Sequence, residues 1–218
     1  MKSFIARYRH AWLLGYAFIY LPWFLYLEKH VTKNYHIIHT WVDDLIPFNE
    51  YFIIPYILWF FYVGGTILYF FFQNRRDYYR MCAFLFIGMT ISLVICTVYK
   101  NGTDLRPIVD PGKNVCTWLV AKLHQADTST NIFPSVHVFN SIVVHIAIMK
   151  SSCFQNHPWI RRLSFILTVS ICLSTVFLKQ HSVVDGLGSM IMCYALYPLV
   201  YGENYVSIRR KAARKALS

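Results

Sequence analysis

The feature that most constrains the fold of this chain is a series of six long apolar runs separated by polar or basic segments. A helix needs about 20 apolar residues to cross the hydrocarbon core of a bilayer, and the shorter runs reach this length by extending into their flanks. The sequence therefore predicts an all-α polytopic membrane protein with a bundle of six transmembrane helices. The predicted spans are 11–27, 52–72, 81–99, 133–149, 163–178 and 184–201.

Composition agrees with a membrane domain. Only 14% of the 218 residues are charged, whereas a soluble domain carries about 25%. We expect one six-span membrane domain over residues 1–218, ending in a basic tail at 202–218. A signal peptide is the alternative interpretation of the first run. The residues that follow it, 28–30, are polar or charged rather than a small-residue cleavage site, so we interpret it as an uncleaved span.

The basic residues predict the orientation of the spans. Six spans place both termini on one side, and 14 of the 21 Lys and Arg residues fall on that side. The positive-inside rule then puts both termini in the cytoplasm of a multi-pass protein of the cell membrane. The basic tail is therefore interpreted as a topology signal that also contacts anionic lipid. The net charge of +11 is not interpreted as a sign of a nucleic-acid site. The six cysteines contain no Cys-x-x-Cys pair, and we expect no metal or other cofactor.

Two stretches at the ends of apolar runs carry the candidate chemistry. A histidine in such a position is costly unless it has a partner or a function. Pro134 and Ser135 are typical of a helix start, which puts His137 in a first turn where backbone N–H groups favour an anion. His181 and Asp185 are four residues apart, a spacing that places them on one helix face. A carboxylate beside a histidine fixes its tautomer and stabilises its charged form.

The predicted topology places these histidines at the same depth as two cations. Lys100 and Arg106 also fall at the extracytoplasmic ends of the spans, next to the helix start at Ser135. Phosphoryl transfer requires fixed positive charge around the phosphoryl oxygens, a nucleophile and a proton donor for the leaving group. The combination therefore predicts an anion-binding site with acid–base groups on the extracytoplasmic face.

These residues resemble the motifs of the type-2 phosphatidic acid phosphatase family of six-span membrane enzymes. The family motifs are Lys-x6-Arg-Pro, Pro-Ser-Gly-His and Ser-Arg-x5-His-x3-Asp. The resemblance covers roughly residues 81–200. The corresponding segments here are Lys100-x5-Arg106-Pro107, Pro134-Ser135-Val136-His137 and Ser174-Thr175-x5-His181-x3-Asp185.

The resemblance implies a metal-independent phosphatase that acts on a lipid phosphate or prenyl diphosphate. His181 would attack phosphorus and form a phosphohistidine, Asp185 would orient it, and His137 would protonate the leaving oxygen. A histidine nucleophile needs no metal to form such an intermediate. The implied ligands of the phosphoryl group are Lys100, Arg106, Ser135 and the backbone at Val136.

Three departures from the family pattern keep other functions open. Lys100 lies one residue too close to the motif arginine, and Thr175 stands where the third motif has arginine, so Lys179 or Lys122 is the candidate for the missing charge. Val136 in place of glycine resembles the Pro-Ser-Leu-His variant of inositol- and choline-phosphate transferases. A head-group phosphotransferase is therefore the alternative. A transporter with a proton relay is a third hypothesis, but the chain lacks the repeated halves that it predicts.

Three smaller patterns bear on the fold. Residues 115–124 have the apolar spacing of a short amphipathic helix at the membrane interface. Two glycine pairs, Gly64-Gly65 and Gly186-x-Gly188, are expected to permit close helix packing. Asp127 and Asn131 are expected to cap the fourth span or to order the loop before it.

Overall fold

A computed structural model of the protein describes residues 8–202. The basic tail predicted at 202–218 therefore lies almost entirely outside the described residues, as do the first seven residues. The fold is built from helices α1 (Ala17–His30), α2 (Trp41–Leu45), α3 (Ile53–Gln73), α4 (Arg75–Val98), α5 (Val115–Ala126), α6 (Val136–Lys150), α7 (Pro158–Phe177) and α8 (Val183–Tyr201). Short 3-10 helices cover Arg9–Tyr16, Glu50–Phe52 and Ser152–Phe154, and two strands cover His36–Ile37 (β1) and Asn101–Gly102 (β2).

Five helical segments of the described chain are long and apolar enough to cross a membrane, so the prediction of an all-α membrane protein is confirmed at that level. The fourth predicted span differs, because helix α6 has only 15 residues. At 1.5 Å per residue it is about 22 Å long, against a hydrocarbon core of about 30 Å. The five segments are Arg9–His30, Glu50–Gln73, Arg75–Val98, Pro158–Phe177 and Val183–Tyr201.

The short helix α6 is the centre of the bundle. It packs against α3, α4, α7 and α8. Phe139, Val143 and Val144 are completely buried in the main hydrophobic core. A helix surrounded by other helices in this way meets little of the surrounding solvent or lipid. The amphipathic segment predicted at 115–124 is also helical, as α5, and it packs against α3 and the 3-10 helix that precedes α3.

Glycines allow the central helices to approach closely at two places. A Cβ built on Gly88 of α4 would lie 1.9 Å from the ring of Phe139, and one built on Gly188 would lie 2.6 Å from the ring of Phe133. The close packing predicted for Gly186-x-Gly188 is thus confirmed at Gly188 but not at Gly186, where a Cβ would lie at an ordinary 3.9 Å from Val138. The same role predicted for Gly64 and Gly65 is wrong, because a Cβ on either residue would meet no neighbouring atom within 4 Å.

Three polar segments meet at one end of the bundle. Strands β1 and β2 pair in parallel, with His36 opposite Asn101, and Gly102 forms an isolated antiparallel bridge with Thr130. The backbone N–H of Asn49 donates to the carbonyl of Phe177 at 3.0 Å. The loops before α3, before α6 and before α8 are therefore held together, so residues far apart in sequence share one site.

The packing of Gly88 against Phe139 gives a first prediction. Gly88→Val should destabilise the protein by about 1–3 kcal/mol, the usual cost of overpacking a well-filled core, and should lower its melting temperature in detergent. Gly65→Val is the matched control, since it places the same side chain in a helix where no neighbour lies within 4 Å. Equal melting temperatures for the two variants would contradict the close contact.

Candidate active site

His181 and Asp185 are in contact, but not in the way that their spacing suggests. His181 lies before helix α8, which begins at Val183 with Ser182 as its N-cap. The Oδ2 atom of Asp185 accepts a hydrogen bond from the backbone N–H of Ser182 at 2.9 Å and lies 3.2 Å from Nδ1 of His181. The prediction that both residues sit on a helix face is therefore wrong. A capping box brings the carboxylate back to the residue that precedes the helix.

His137 occupies the predicted first turn of helix α6, with Ser135 as N-cap. Its ring lies 5.9 Å from the ring of His181, between centroids. The rings of Tyr56 and Trp59 on α3 lie 4.5 and 4.3 Å from it and fix its position. The Nε2 atom of His137 is buried without a hydrogen-bond partner, so a polar group of a bound molecule would relieve an unsatisfied nitrogen.

Asp185 also joins the two helices that carry the histidines. Its backbone carbonyl accepts a hydrogen bond from the N–H of Ser135 at 3.3 Å. The hydroxyl of Ser189, one turn further along α8, lies 2.9 Å from the same carbonyl and 2.8 Å from the carbonyl of Ser135. One buried residue therefore orients the ring of His181 through its side chain and positions the helix start before His137 through its backbone.

Both histidines line one cavity of about 670 Å³. Its polar end contains His137, His181 and Gln180, together with the carboxylates of Glu28 and Asp127. The rest of the wall is predominantly apolar and comes mainly from helices α1, α3 and α4. The cavity thus has the division into a polar and an apolar end that an amphiphile requires.

The predicted lysines lie away from this cavity. No Lys or Arg is among the described residues that line it. Lys100 is exposed after the end of α4, and its carbonyl accepts a hydrogen bond from the N–H of His36. The ammonium group of Lys179 donates to the carbonyl of Asp43, and that of Lys122 lies beside Gln125 on the surface. The expectation that Lys179 or Lys122 replaces the arginine missing at Thr175 is not met by this geometry.

Arg106 stands immediately behind the polar end of the cavity. Its guanidinium donates to the carbonyls of Asp127 and Thr128, both at 2.6 Å, and forms an ion pair with the Asp127 carboxylate at 3.4 Å. Burial disfavours both charges, and accordingly it raises the pKa of Asp127 and lowers the pKa of Arg106. The arginine therefore holds the loop before α6, one residue layer from the histidines.

Glu28 is a site residue that the motifs do not identify. Its carboxylate accepts hydrogen bonds from the N–H and hydroxyl of Thr128, at 3.1 and 2.6 Å, and from the amide of Asn131 at 3.0 Å. Asn131 has a positive φ of 58° and orders the loop, as predicted. In the sequence, Glu28 is recognisable only as a charged residue directly after an apolar run. Such a residue by itself indicates only a membrane boundary.

Asp43 is a second residue without a motif, and it holds the loop that carries His181. Its carboxylate accepts hydrogen bonds from the hydroxyl of Ser182 at 2.6 Å and the N–H of Val183 at 2.8 Å. It also accepts from the N–H and hydroxyl of Thr40, both at 2.8 Å. Burial opposes its charge, but the hydrogen bonds from Ser182, Val183 and Thr40 outweigh burial and lower the pKa of Asp43.

We expect Asp43→Ala to destabilise the protein by at least about 1–3 kcal/mol, the cost of leaving one buried donor unsatisfied. A lowered pKa means that the carboxylate stabilises the fold above the ordinary Asp value of about 3.9. This stabilisation is lost as the pH falls through the folded-state pKa. Unfolding in detergent, compared between about pH 7 and pH values below the ordinary Asp pKa of about 3.9, should therefore show a larger loss of stability in acid for the wild type than for the variant.

Asp44→Ala is the matched control for this experiment. The Asp44 carboxylate is exposed and pairs with His39 at 2.8 Å on the surface, and such pairs contribute little to stability. The Asp44 variant should stay close to the wild type at neutral pH. Equal stability of the Asp43 and Asp44 variants would show that the buried hydrogen bonds of Asp43 do not hold the loop.

In comparisons with known proteins, no family model, no curated protein and no solved structure matches this chain. The functional argument therefore depends on the site itself. What the structure brings together is an aspartate-supported histidine, a second histidine in a helix first turn, and a cavity with one polar and one apolar end.

Proposed function

We propose that the protein is a membrane enzyme of phosphoryl transfer that hydrolyses a lipid phosphate or prenyl diphosphate through a phosphohistidine. The observation that carries the proposal is the pair His181 and His137 at the polar end of an otherwise apolar cavity, with Asp185 on Nδ1 of His181. Asp185 leaves Nε2 of His181 as the attacking nitrogen. The apolar walls suit the hydrocarbon part of the substrate.

The spacing of the two rings supports opposite roles for them. A reacting atom lies about 3–3.5 Å from its nucleophile, and a leaving oxygen lies about 2.6–3.2 Å from its proton donor. The two ring centroids lie 5.9 Å apart, so both rings can contact one phosphoryl group bound at this end of the cavity. His181 Nε2 attacks phosphorus as the bond to the leaving oxygen breaks, and His137 protonates that oxygen. Water then attacks phosphorus, the N–P bond breaks, and phosphate leaves while His137 takes up the proton.

The phosphoryl oxygens would be held at the start of helix α6. Val136 and His137 begin this helix and line the cavity, and a helix N-terminus favours an anion through its N–H groups and dipole. Ser135 caps the helix, and its own N–H already donates to the carbonyl of Asp185. Arg106 adds positive charge from behind Asp127. Lys100 and Lys179 have other surroundings in the structure, so we assign them no phosphate contact.

The acidic groups at the polar end favour a second candidate function, the head-group phosphotransferase. Glu28 and Asp127 line the cavity together with the histidines, and their carboxylates would repel a doubly charged phosphate monoester. A phosphodiester whose head group carries a cation would suit them better. In that case a lipid alcohol would replace water in the second step, and phosphate would not be released.

Leaving-group dependence tests the roles of the two histidines. His181→Ala should abolish turnover of every substrate, because it removes the nucleophile. His137→Ala should lose about 10²–10⁴-fold on phosphatidic acid, whose alkoxide must be protonated to leave. It should lose far less on nitrophenyl phosphate or a prenyl diphosphate, whose leaving groups are weak bases. The measurement is phosphate release by purified protein in the presence of EDTA.

Three further results of this assay would change the assignment. Proportional losses for both variants across all leaving groups would make His137 a phosphate ligand instead of the acid. Loss of activity in EDTA with recovery on adding one divalent ion would contradict the metal-independent reaction. Formation of a new phospholipid when a lipid alcohol is added, without phosphate release, would select the transferase.

The proposal includes six spans with both termini in the cytoplasm and the site on the extracytoplasmic face. Cys116 lies in α5 at the site end of the bundle, and Cys153 lies at the opposite end beside Asn74. In single-cysteine variants, an impermeant maleimide added to intact cells should label position 116 and not position 153. The maleimide should label both positions after the cells are opened, which controls for shielding. The reverse pattern in intact cells would place the site in the cytoplasm.

A further inference from the structure

The apolar part of the cavity is bounded by helices that leave a lateral opening. Helix α1 packs against α4. Tyr16, at the end of the 3-10 helix that leads into α1, has its hydroxyl 2.9 Å from that of Thr90 on α4. Residues of α1, α3 and α4 all line the cavity, so it lies between these helices. Leu21 on α1 and Phe60 on α3 line it and are also more than half exposed. The gap between α1 and α3 therefore opens toward the space that lipid chains occupy around a membrane span.

Two adjacent glycines in the middle of α3 differ in the space that they face. Gly64 lines the cavity, whereas Gly65 lines a separate groove on the side of α3 that faces α7. A side chain built on either glycine would meet no neighbouring atom within 4 Å. Neither residue is needed for helix packing, and glycine is a much poorer helix former than alanine. At Gly64 the missing side chain keeps the cavity wide.

We propose that Gly64 is a specificity-determining residue that admits the hydrocarbon chain of the substrate into the deep part of this cavity. His137 is fixed against Tyr56, eight residues earlier on α3, which is about 12 Å along the helix axis. A short chain ends before Gly64, and a long chain must pass it. This inference rests on the proposed function for the position of the phosphoryl group.

The test compares Gly64→Leu with Gly65→Leu. Both substitutions replace a helical glycine with the same good helix former, so both should fold at least as well as the wild type. Gly64→Leu should lower kcat/KM for oleoyl lysophosphatidate about tenfold or more, and it should affect hexanoyl lysophosphatidate far less. Gly65→Leu should have the wild-type kcat/KM for both substrates. Equal effects of the two variants on the long-chain substrate would overturn the inference.

A binding experiment separates this inference from the proposed reaction. An oleoyl-length lysophosphatidate with a diazirine near the chain end is photolysed with His181→Ala protein, in which no turnover is expected. Cross-links should appear on α1, α3 and α4 around Gly64, should disappear with Gly64→Leu and should persist with Gly65→Leu. This pattern would support the chain site even if the wild type released no phosphate. Cross-links that are unchanged by both Gly64→Leu and Gly65→Leu would overturn the inference even if the wild type released phosphate.

Discussion

The structure depends on one buried aspartate, Asp185, which makes contacts in two directions. Its carboxylate accepts the N–H of Ser182 and contacts Nδ1 of His181, while its carbonyl accepts the N–H of Ser135. The same residue thus starts helix α8, orients one histidine and positions the helix that carries the other. Buried carboxylate oxygens need hydrogen-bond donors. Oδ2 of Asp185 contacts two, at Ser182 and His181, whereas Oδ1 has none among the described residues. The groups that contact this carboxylate are the N–H of Ser182 and the ring of His181, which a histidine site must hold in place.

The loops provide a second layer of support, through backbone pairing and buried polar side chains. The Asn101 side-chain oxygen accepts the N–H groups of Ile132 and Phe133, both at 2.9 Å, so the loop after α4 fixes the approach to α6. Asp43 does the same for the loop before α8. Groups buried away from water must be paired, and pairing between loops positions both histidines relative to the bundle.

The electrostatic character of the site follows from these loops and differs from the pattern of cations in the sequence. Arg106 and Lys179 donate to loop carbonyls, and Lys100 faces outward. The carboxylates of Glu28 and Asp127 line the cavity in their place. Under the proposed function, the choice of substrate head group depends on residues outside the motifs, and the choice of hydrocarbon chain depends on the open space beside Gly64.

The sequence by itself determined the elements whose causes are local. Apolar runs specify helices in a membrane, Ser135 caps a helix wherever that helix packs, and the four-residue spacing brought Asp185 to His181 even though the helix begins after the histidine. The sequence could not determine which way a long cation turns, since Lys179 and Arg106 donate to backbone carbonyls of other segments. It also could not identify Glu28 or Asp43, because the site loops that they hold lie at least 100 residues further along the chain. Only the tertiary structure decides such contacts, because each depends on two distant segments meeting in a place without water.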